Sequence, residues 1–434
     1  MAQPEPRTRL EQLVQGATMT VADFMASYAA AATEIGETAT VSEPQARRWL
    51  RGGSSSPLPV ARRVLQHMWK EPVAQLLGPP DHGAANVVPI VELSEEELIV
   101  KAGRDSVEHA VQAASALDPS ALEQLHAEAR RAAHAYYVTP SFEMFTDLMQ
   151  LRQVVYTQLD RIEKPRQKAE LYLIAGQVSG LLSSVSWDLG YPDVAEEHAR
   201  AAHTYGSVID HLSLQAWARA HQVTCAFWSD QPRRAVRIAE AALTTAPSGT
   251  ARARLLSVQA RALALIGARD EAASALDAAS AELERAGSDP LLDEVGGELG
   301  FDRSRRALCA GAVYVALGDG NRAEAEATAA LELFGQMPDD VRWGAGEQGA
   351  RIDLGTARVL RGDLAGAEDA LASVFGLEPD RRTEALVRRL TRLGGVLGAG
   401  RFRGAVEAGR LGEAIEDFAE RSLPRTAARR AIGS

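Results

Sequence analysis

The residues best suited to chemistry near the start of the chain are basic and amide side chains between positions 41 and 70. This stretch carries six basic residues against one acid, whereas the whole chain has a formal net charge of −11. The stretch therefore has a charge of +5 and the remainder −16. Gln and Arg side chains can pair with base edges, and Lys and Arg can hold phosphates. The asymmetry favours a small anion-binding surface on an acidic body and argues against a general nucleic-acid coat.

Two residues are predicted to contact base edges because each can form two parallel hydrogen bonds: Gln45 to adenine and Arg47 to guanine. Glu43 is a further candidate, and Ser42 joins them as a predicted DNA contact. The side chains predicted to hold phosphates are Arg48, Arg51, Arg62, Arg63 and Lys70. Basic outward residues alone would equally suit the solvated face of a packing module.

The elements that must position these side chains are short helices. Ser42 predicts an N-cap and Pro44 a first helical turn, and Ala46, Trp49 and Leu50 then form an inward stripe. Two helices are predicted before this one, over 7–15 and 21–35, and a loop rich in Ser and Pro with closing helices after it. This order is the layout of a helix-turn-helix domain.

The pattern V-S-x-x-x-A-x-R-W-x-x-G, from Val41 to Gly52, resembles the third helix of the XRE (Cro/repressor-type) family. Leu50 departs from the family pattern, in which a Glu is common. The resemblance covers about residues 7–78. It implies a DNA-binding domain and, together with the repeats that follow, a transcriptional regulator of the kind found in high-GC bacteria.

A second pattern recurs along the rest of the chain: a turn residue is followed five, nine and twelve positions later by small or apolar residues. The predicted turns are at Gly190, Asp230, Gly267, Gly318, Gly362 and, more weakly, Gly409. Steps of three and four residues share a helical face, so each unit reads as a helical hairpin. Six units at a spacing of roughly forty residues predict an all-α protein with a helical solenoid, and they resemble tetratricopeptide (TPR) repeats.

The first helix of each hairpin lines the inner wall of such a solenoid, and Tyr and Trp suit a groove that is partly apolar and partly wet. The predicted groove residues are Tyr172, Gln177, Trp187, Trp217, His221, Trp228, Gln259, Arg261, Tyr314, Trp343, Gln348 and Arg351. A Trp near a repeat start, such as Trp217, more often packs within its hairpin. Regulators with this combination often clamp peptides with Asn, but this chain has only Asn86 and Asn321. A small molecule, a partner protein or a differently clamped peptide stays open.

The predicted organisation has five parts. Residues 1–77 form the DNA-binding domain, 78–93 a linker, 94–165 connector helices that cap the solenoid, 166–423 the TPR-like sensor and dimerisation domain, and 424–434 a tail.

Catalysis is not expected. Gly344, Gly346 and Gly349 match a dinucleotide-binding pattern by letters, but no strand is predicted before them. No metal-ligand spacing and no cofactor motif is recognised. Cys225 and Cys309 are expected to be free thiols, and we expect a cytoplasmic protein because neither a leader nor a membrane-spanning run is recognised.

The sequence therefore predicts a one-component transcriptional regulator, acting as a homodimer on double-stranded DNA and sensing a ligand or partner in its TPR-like domain. The alternative is a TPR scaffold whose basic head is a degenerate packing domain that does not bind DNA.

Overall fold

The computed structural model of the chain describes residues 6–17, 19–52, 57–80, 95–113, 118–285, 289 and 291–423. Within these residues the protein is all-helical, as predicted, with twenty α-helices, short 3₁₀ turns and no strand. The chain divides into two compact units, Met1–Val100 and Lys101–Ser434. The predicted tail and most of the predicted linker lie outside the described residues. No described helix is both long and apolar enough to cross a lipid bilayer.

The first unit contains five short helices around one hydrophobic core. They are α1 (Arg9–Gly16), α2 (Val21–Glu34), α3 (Glu43–Leu50), α4 (Pro59–Trp69) and α5 (Val73–Leu76). Thr20 and Asp23 form a capping box at the start of α2. Tyr28 of α2 contacts Trp49 of α3, with ring centroids 5.9 Å apart, and both side chains are buried. The inward stripe of α3 is thus anchored in this core.

The remaining helices are α6 (Glu95–Ala113), α7 (Pro119–Ala135), α8 (Ser141–Arg161), α9 (Pro165–Asp188), α10 (Pro192–Val208), α11 (Leu212–Trp228), α12 (Pro232–Leu243), α13 (Thr250–Leu265), α14 (Arg269–Arg285), α15 (Arg303–Ala316), α16 (Gly320–Gly335), α17 (Gly344–Arg361), α18 (Leu364–Phe375), α19 (Glu384–Leu397) and α20 (Val406–Glu420). From α9 to α18 they form five consecutive antiparallel hairpins, each packed against the next. This is a TPR-like α-solenoid, and the predicted fold class is confirmed.

Five of the six predicted turns are confirmed. The residue at each of these turns has a left-handed backbone, with φ between 58° and 87°. Four are glycines, which adopt this conformation without a steric penalty, and the fifth is Asp230. The downstream stripe is buried as expected; Ala195, Ala199 and Ala202 of α10, for example, have no exposed surface. Small side chains at these positions let the two helices of a hairpin approach closely.

The sixth predicted turn, at Gly409, is wrong. Gly409 lies inside α20, where its amide donates to the carbonyl of Ala405. The chain instead turns at Gly404, with φ of 86°, after the 3₁₀ turn Gly400–Phe402. The offset pattern misplaced the turn because Leu411, Ile415 and Phe418 already define the buried face of a helix that begins earlier.

The segment between α14 and α15 reaches back onto α7. It contains the 3₁₀ turn Gly297–Leu299. Gly297 has φ of 55°, and a Cβ atom there would lie 2.3 Å from the carbonyl oxygen of Ala133. Only glycine permits this close approach. The approach buries Glu298 against the inner wall of the solenoid.

A pair of identical substitutions tests the turn assignment. Gly362→Ala should lower the free energy of unfolding by about 1–2 kcal/mol, because an L-residue is strained in the left-handed region. Gly409→Ala should raise it by about 0.5–1 kcal/mol, because alanine favours an exposed helix interior. Neither new Cβ atom would meet a neighbour within 4 Å. Denaturant unfolding followed by circular dichroism measures both free energies of unfolding. If Gly409→Ala were destabilising, the result would support a left-handed turn at Gly409 and contradict its assignment to α20.

Candidate functional site

The nine predicted DNA-binding residues are all exposed on the first unit. Glu43, Arg47 and Arg51 follow one another at four-residue steps on α3, so they share one stripe, while Gln45 lies beside it. The Arg47 guanidinium is paired with Glu43 at 2.7 Å, but both side chains are about half exposed. Ser42 precedes α3 as predicted, yet its side chain makes no capping hydrogen bond.

The flanking basic residues differ in their pairing. Arg63 forms an ion pair with Glu37 at 2.5 Å, and Arg62 donates to the carbonyl of Pro57. The side chains of Arg48 and Arg51 have no ion-pair or hydrogen-bond partner among the described residues. Exposed ion pairs contribute little to stability, about 0–1 kcal/mol, so Arg47 and Arg63 can exchange their carboxylates for phosphates at small cost.

A central cavity of about 160 Å³ lies within the second unit. Its wall comes from the first helices of successive hairpins, α9, α11, α13, α15, α17 and α19, with contributions from α7 and the segment after α14. The cavity therefore lies on the inner wall of the solenoid.

The structure places five of the predicted groove residues on the cavity wall: Trp187, His221, Trp228, Arg261 and Trp343. Gln348 lies on an adjoining pocket of about 260 Å³, which shares Tyr136, Asp188 and Trp343 with the central cavity. Whether these residues bind a ligand stays a prediction.

The other predicted groove residues lie away from the cavity wall. Trp217 is fully buried, and its ring occupies the space that a Cβ atom at Gly180 would need, so it belongs to the packing of α9 against α11. Tyr172 stacks on Tyr205 at 5.8 Å. Gln177 is buried in α9, and Gln259 is partly buried in α13. Tyr314 lies under the guanidinium of Arg322, and Arg351 is paired with Glu347.

Sequence reasoning missed the ion pair between Glu298 and Arg305 on the cavity wall. The two side chains are 2.8 Å apart and both are buried. Burial alone would raise the pKa of Glu298, but the charges of Arg305 and Arg254 outweigh it and lower the pKa. Arg254 also donates from Nη2 to the carbonyl oxygens of residues 298, 299 and 300. The segment after α14 is thus fixed through its side chain and its backbone.

A second buried ion pair closes the wall at α19. Arg389 Nη1 donates to both carboxylate oxygens of Asp353, at 2.5 Å each. The neighbouring Arg388 donates to the carbonyl of Trp228 at 2.6 Å, although the two residues are 160 positions apart. Helices from opposite ends of the solenoid therefore meet at the inner wall.

Arg254 and Arg261 lie seven residues apart on α13 and therefore share a face. The Arg261 guanidinium lies over the rings of Phe227 and Trp228, 4.5 and 5.2 Å from their centroids. No described residue accepts a hydrogen bond from it. Burial lowers the pKa of both arginines to about 10, so both are charged at neutral pH.

Burial also shifts the pKa values of two further cavity residues, Asp188 and His221. Burial raises the pKa of Asp188 to about 7, although it accepts a hydrogen bond of 2.5 Å from Tyr136. Burial lowers the pKa of His221 to about 3, so this imidazole is neutral at physiological pH. Among the described residues, no cluster of His, Cys, Asp or Glu has the arrangement of a metal site. Cys225 and Cys309 are buried free thiols.

Substitution of Glu298 tests the importance of its ion pair. Glu298→Gln should lower the free energy of unfolding by about 3–5 kcal/mol, because Arg305 would be left as an uncompensated buried charge. The matched control is Glu326→Gln, which removes the carboxylate of the partly exposed pair with Arg306 and should cost no more than about 1 kcal/mol. Equal effects in denaturant unfolding would contradict the assignment.

The titration of Asp188 should be visible in stability. The folded chain keeps a proton on Asp188 up to about pH 7, whereas the unfolded chain loses it near the ordinary pKa of about 4. Stability should therefore decrease as pH rises from about 4 to 7, by at most about 1.4 kcal/mol per pH unit. Asp188→Asn keeps an acceptor for Tyr136 and removes this dependence. A difference between native chain and variant that stays constant from pH 5 to 8 would exclude the raised pKa.

Comparison with known proteins adds little beyond the fold. No protein-family model matches the chain. No curated protein matches it. Among solved structures, the chain is similar to a Rap protein crystallised in complex with competence and sporulation factor. The two share 14% sequence identity with a TM-score of 0.43, and the alignment covers 69% of this chain and 78% of the Rap chain. A similarity this distant carries no inference about ligand or partner.

Proposed function

We propose that this protein is a one-component transcriptional regulator that binds double-stranded DNA through α3 and senses a ligand through the solenoid. The observation that carries the proposal is that α3 has one buried apolar side and one exposed polar side. Ala46 and Trp49 fix its inner side in the core of the first unit, while Gln45, Arg47 and Arg48 project from the other side. A recognition helix needs this combination of a rigid support and free polar side chains.

The pattern of partners around α3 supports the division between base and phosphate contacts. Arg48 and Arg51 are exposed without described partners, so they can bind phosphates without losing a bond. The free Ser42 hydroxyl can donate to a phosphate in the same way. The XRE resemblance of residues 41–52 places these contacts on the helix that enters the major groove in that family.

The solenoid is proposed to sense a ligand and to mediate formation of a homodimer, because two recognition helices one DNA turn apart increase specificity. A ligand can regulate DNA binding only if it prefers one arrangement of the solenoid over another. Catalysis is not part of the proposal, and we place the protein in the cytoplasm. The pairing of Arg47 and Arg63 with carboxylates of their own unit favours the alternative, a TPR scaffold with a degenerate head.

DNA binding is tested by gel shift of the full chain on its own upstream DNA at two salt concentrations. Arg47→Ala should weaken specific binding by about 1–3 kcal/mol if Arg47 pairs with a base, and Arg48→Ala should reduce the salt slope by about one unit.

The control is Arg233→Ala, which removes an exposed arginine from α12 in the second unit and should leave the shift unchanged. Absence of any shift, or equal loss in Arg233→Ala and Arg47→Ala, would reject the regulator in favour of the scaffold.

A further inference from the structure

We propose that the central cavity binds a small organic anion, a carboxylate with a planar apolar body. Arg261 supplies the binding charge, and the indoles of Trp187 and Trp228 supply the apolar surface. The role of this anion as a regulatory signal rests on the proposed function, but its binding does not.

The charge balance of the cavity wall carries the argument. Four arginines line it, and two of them have carboxylate partners: Arg305 with Glu298, and Arg389 with Asp353. Arg254 donates only to backbone carbonyls. Arg261 has no described acceptor. The remaining carboxyl group of the wall, Asp188, is occupied by the Tyr136 hydroxyl.

The wall therefore holds more positive than negative charge in a partly enclosed space. Burying a charge without a counterion is unfavourable, and native proteins pair such charges. Arg261 is only partly buried, and the described part of the chain supplies no hydrogen-bonded carboxylate for it, so its guanidinium is available to an anion from outside. A carboxylate satisfies an arginine best because it accepts two parallel hydrogen bonds from one guanidinium.

The orientation of Arg261 suits this role. Its guanidinium lies over the rings of Phe227 and Trp228, and its N–H groups have no acceptor among the described residues, so they are available to a ligand. Arg389 lies close enough for its charge to lower the pKa of Arg261, and it bonds Asp353 through Nη1 alone.

The apolar part of the ligand is specified by aromatic rings. Trp187 and Trp228 are stacked with centroids 6.2 Å apart and an interplanar angle of 23°. The Trp187 indole Nε1 and the His221 Nε2 are buried without hydrogen-bond partners among the described residues, although both residues line the cavity. These ring nitrogens are available to complete a hydrogen bond with a bound group.

The volume of the cavity suits a small ligand. Its volume of about 160 Å³ corresponds to about five molecules of liquid water. A benzoate-sized molecule fits this space. The adjoining pocket lined by Gln348 gives the cavity a second lobe for a substituent.

The test uses benzoate, its neutral analogue benzamide, and acetate, which has the charge without the ring. The full chain is heated without DNA in the presence of each probe, and tryptophan fluorescence is titrated in parallel. Benzoate should raise the melting temperature in a concentration-dependent way, and benzamide and acetate should raise it much less. Equal shifts with all three probes, or no shift with benzoate, would overturn the proposal.

Arg261→Gln should weaken benzoate binding by about 10- to 100-fold, whereas Arg233→Gln on the exposed face of α12 should leave it unchanged. Without ligand, Arg261→Gln should lower the melting temperature much less than Glu298→Gln, because it loses ring contacts with Phe227 and Trp228 but leaves no buried charge unpaired. A loss of melting temperature as large as that of Glu298→Gln would show that Arg261 is structural and would reject the proposal. Because DNA is absent, these results are independent of the gel shift.

Discussion

The structure of the second unit depends on the buried ion pair between Arg305 and Glu298. These groups are 2.8 Å apart and almost completely removed from water, so neither charge is tolerable without the other. Glu298 belongs to a segment without regular helix, and Arg305 belongs to a first helix of the solenoid. The pair therefore holds an irregular segment against the inner wall, and the three carbonyl oxygens bonded by Arg254 hold the backbone of that segment in the same place.

Because of this ion pair, part of the inner wall is covered. An unobstructed solenoid offers a long groove, but here the wall is covered by the segment after α14 and crossed by α19. Arg388 reaches from α19 to the carbonyl of Trp228, and Arg389 reaches to Asp353 on α17. A ligand in the remaining cavity would contact hairpins that are far apart in sequence. Its binding free energy would then favour one relative arrangement of those hairpins over others, which is the physical requirement for a sensor.

The sequence predicted those features that depend on nearby residues. A left-handed turn needs glycine or a short polar residue, and the buried stripe follows the turn at helical spacing, so Gly190 and Gly362 could be recognised without a structure. The exposure of Arg48 and Arg51 followed in the same way from the inward stripe of α3. Gly409 was misplaced because the same letters also fit the interior of a helix.

The cavity wall could be predicted only in part, because it depends on contacts between distant residues. Arg261 was recognised, but Arg254, on the same face two turns earlier, was not, although the seven-residue spacing is visible in the sequence. The position of Glu298 depends on the approach of Gly297 to α7, and no local pattern contains that information. Trp217 was predicted to line the groove, but it is buried because its ring occupies the space left by Gly180, which has no side chain. Gly180 lies on another helix, so no local pattern around Trp217 contains this information.

The central claim is that the inner wall encloses an anion site built around Arg261. The most direct measurement is a crystal structure of the full chain soaked with 4-bromobenzoate and recorded at the bromine absorption edge. The account predicts an anomalous peak inside the central cavity, with the carboxylate hydrogen-bonded to Arg261 and the ring against Trp187 and Trp228. A cavity without bromine, in which Arg261 is paired with a carboxylate of the chain itself, would contradict it.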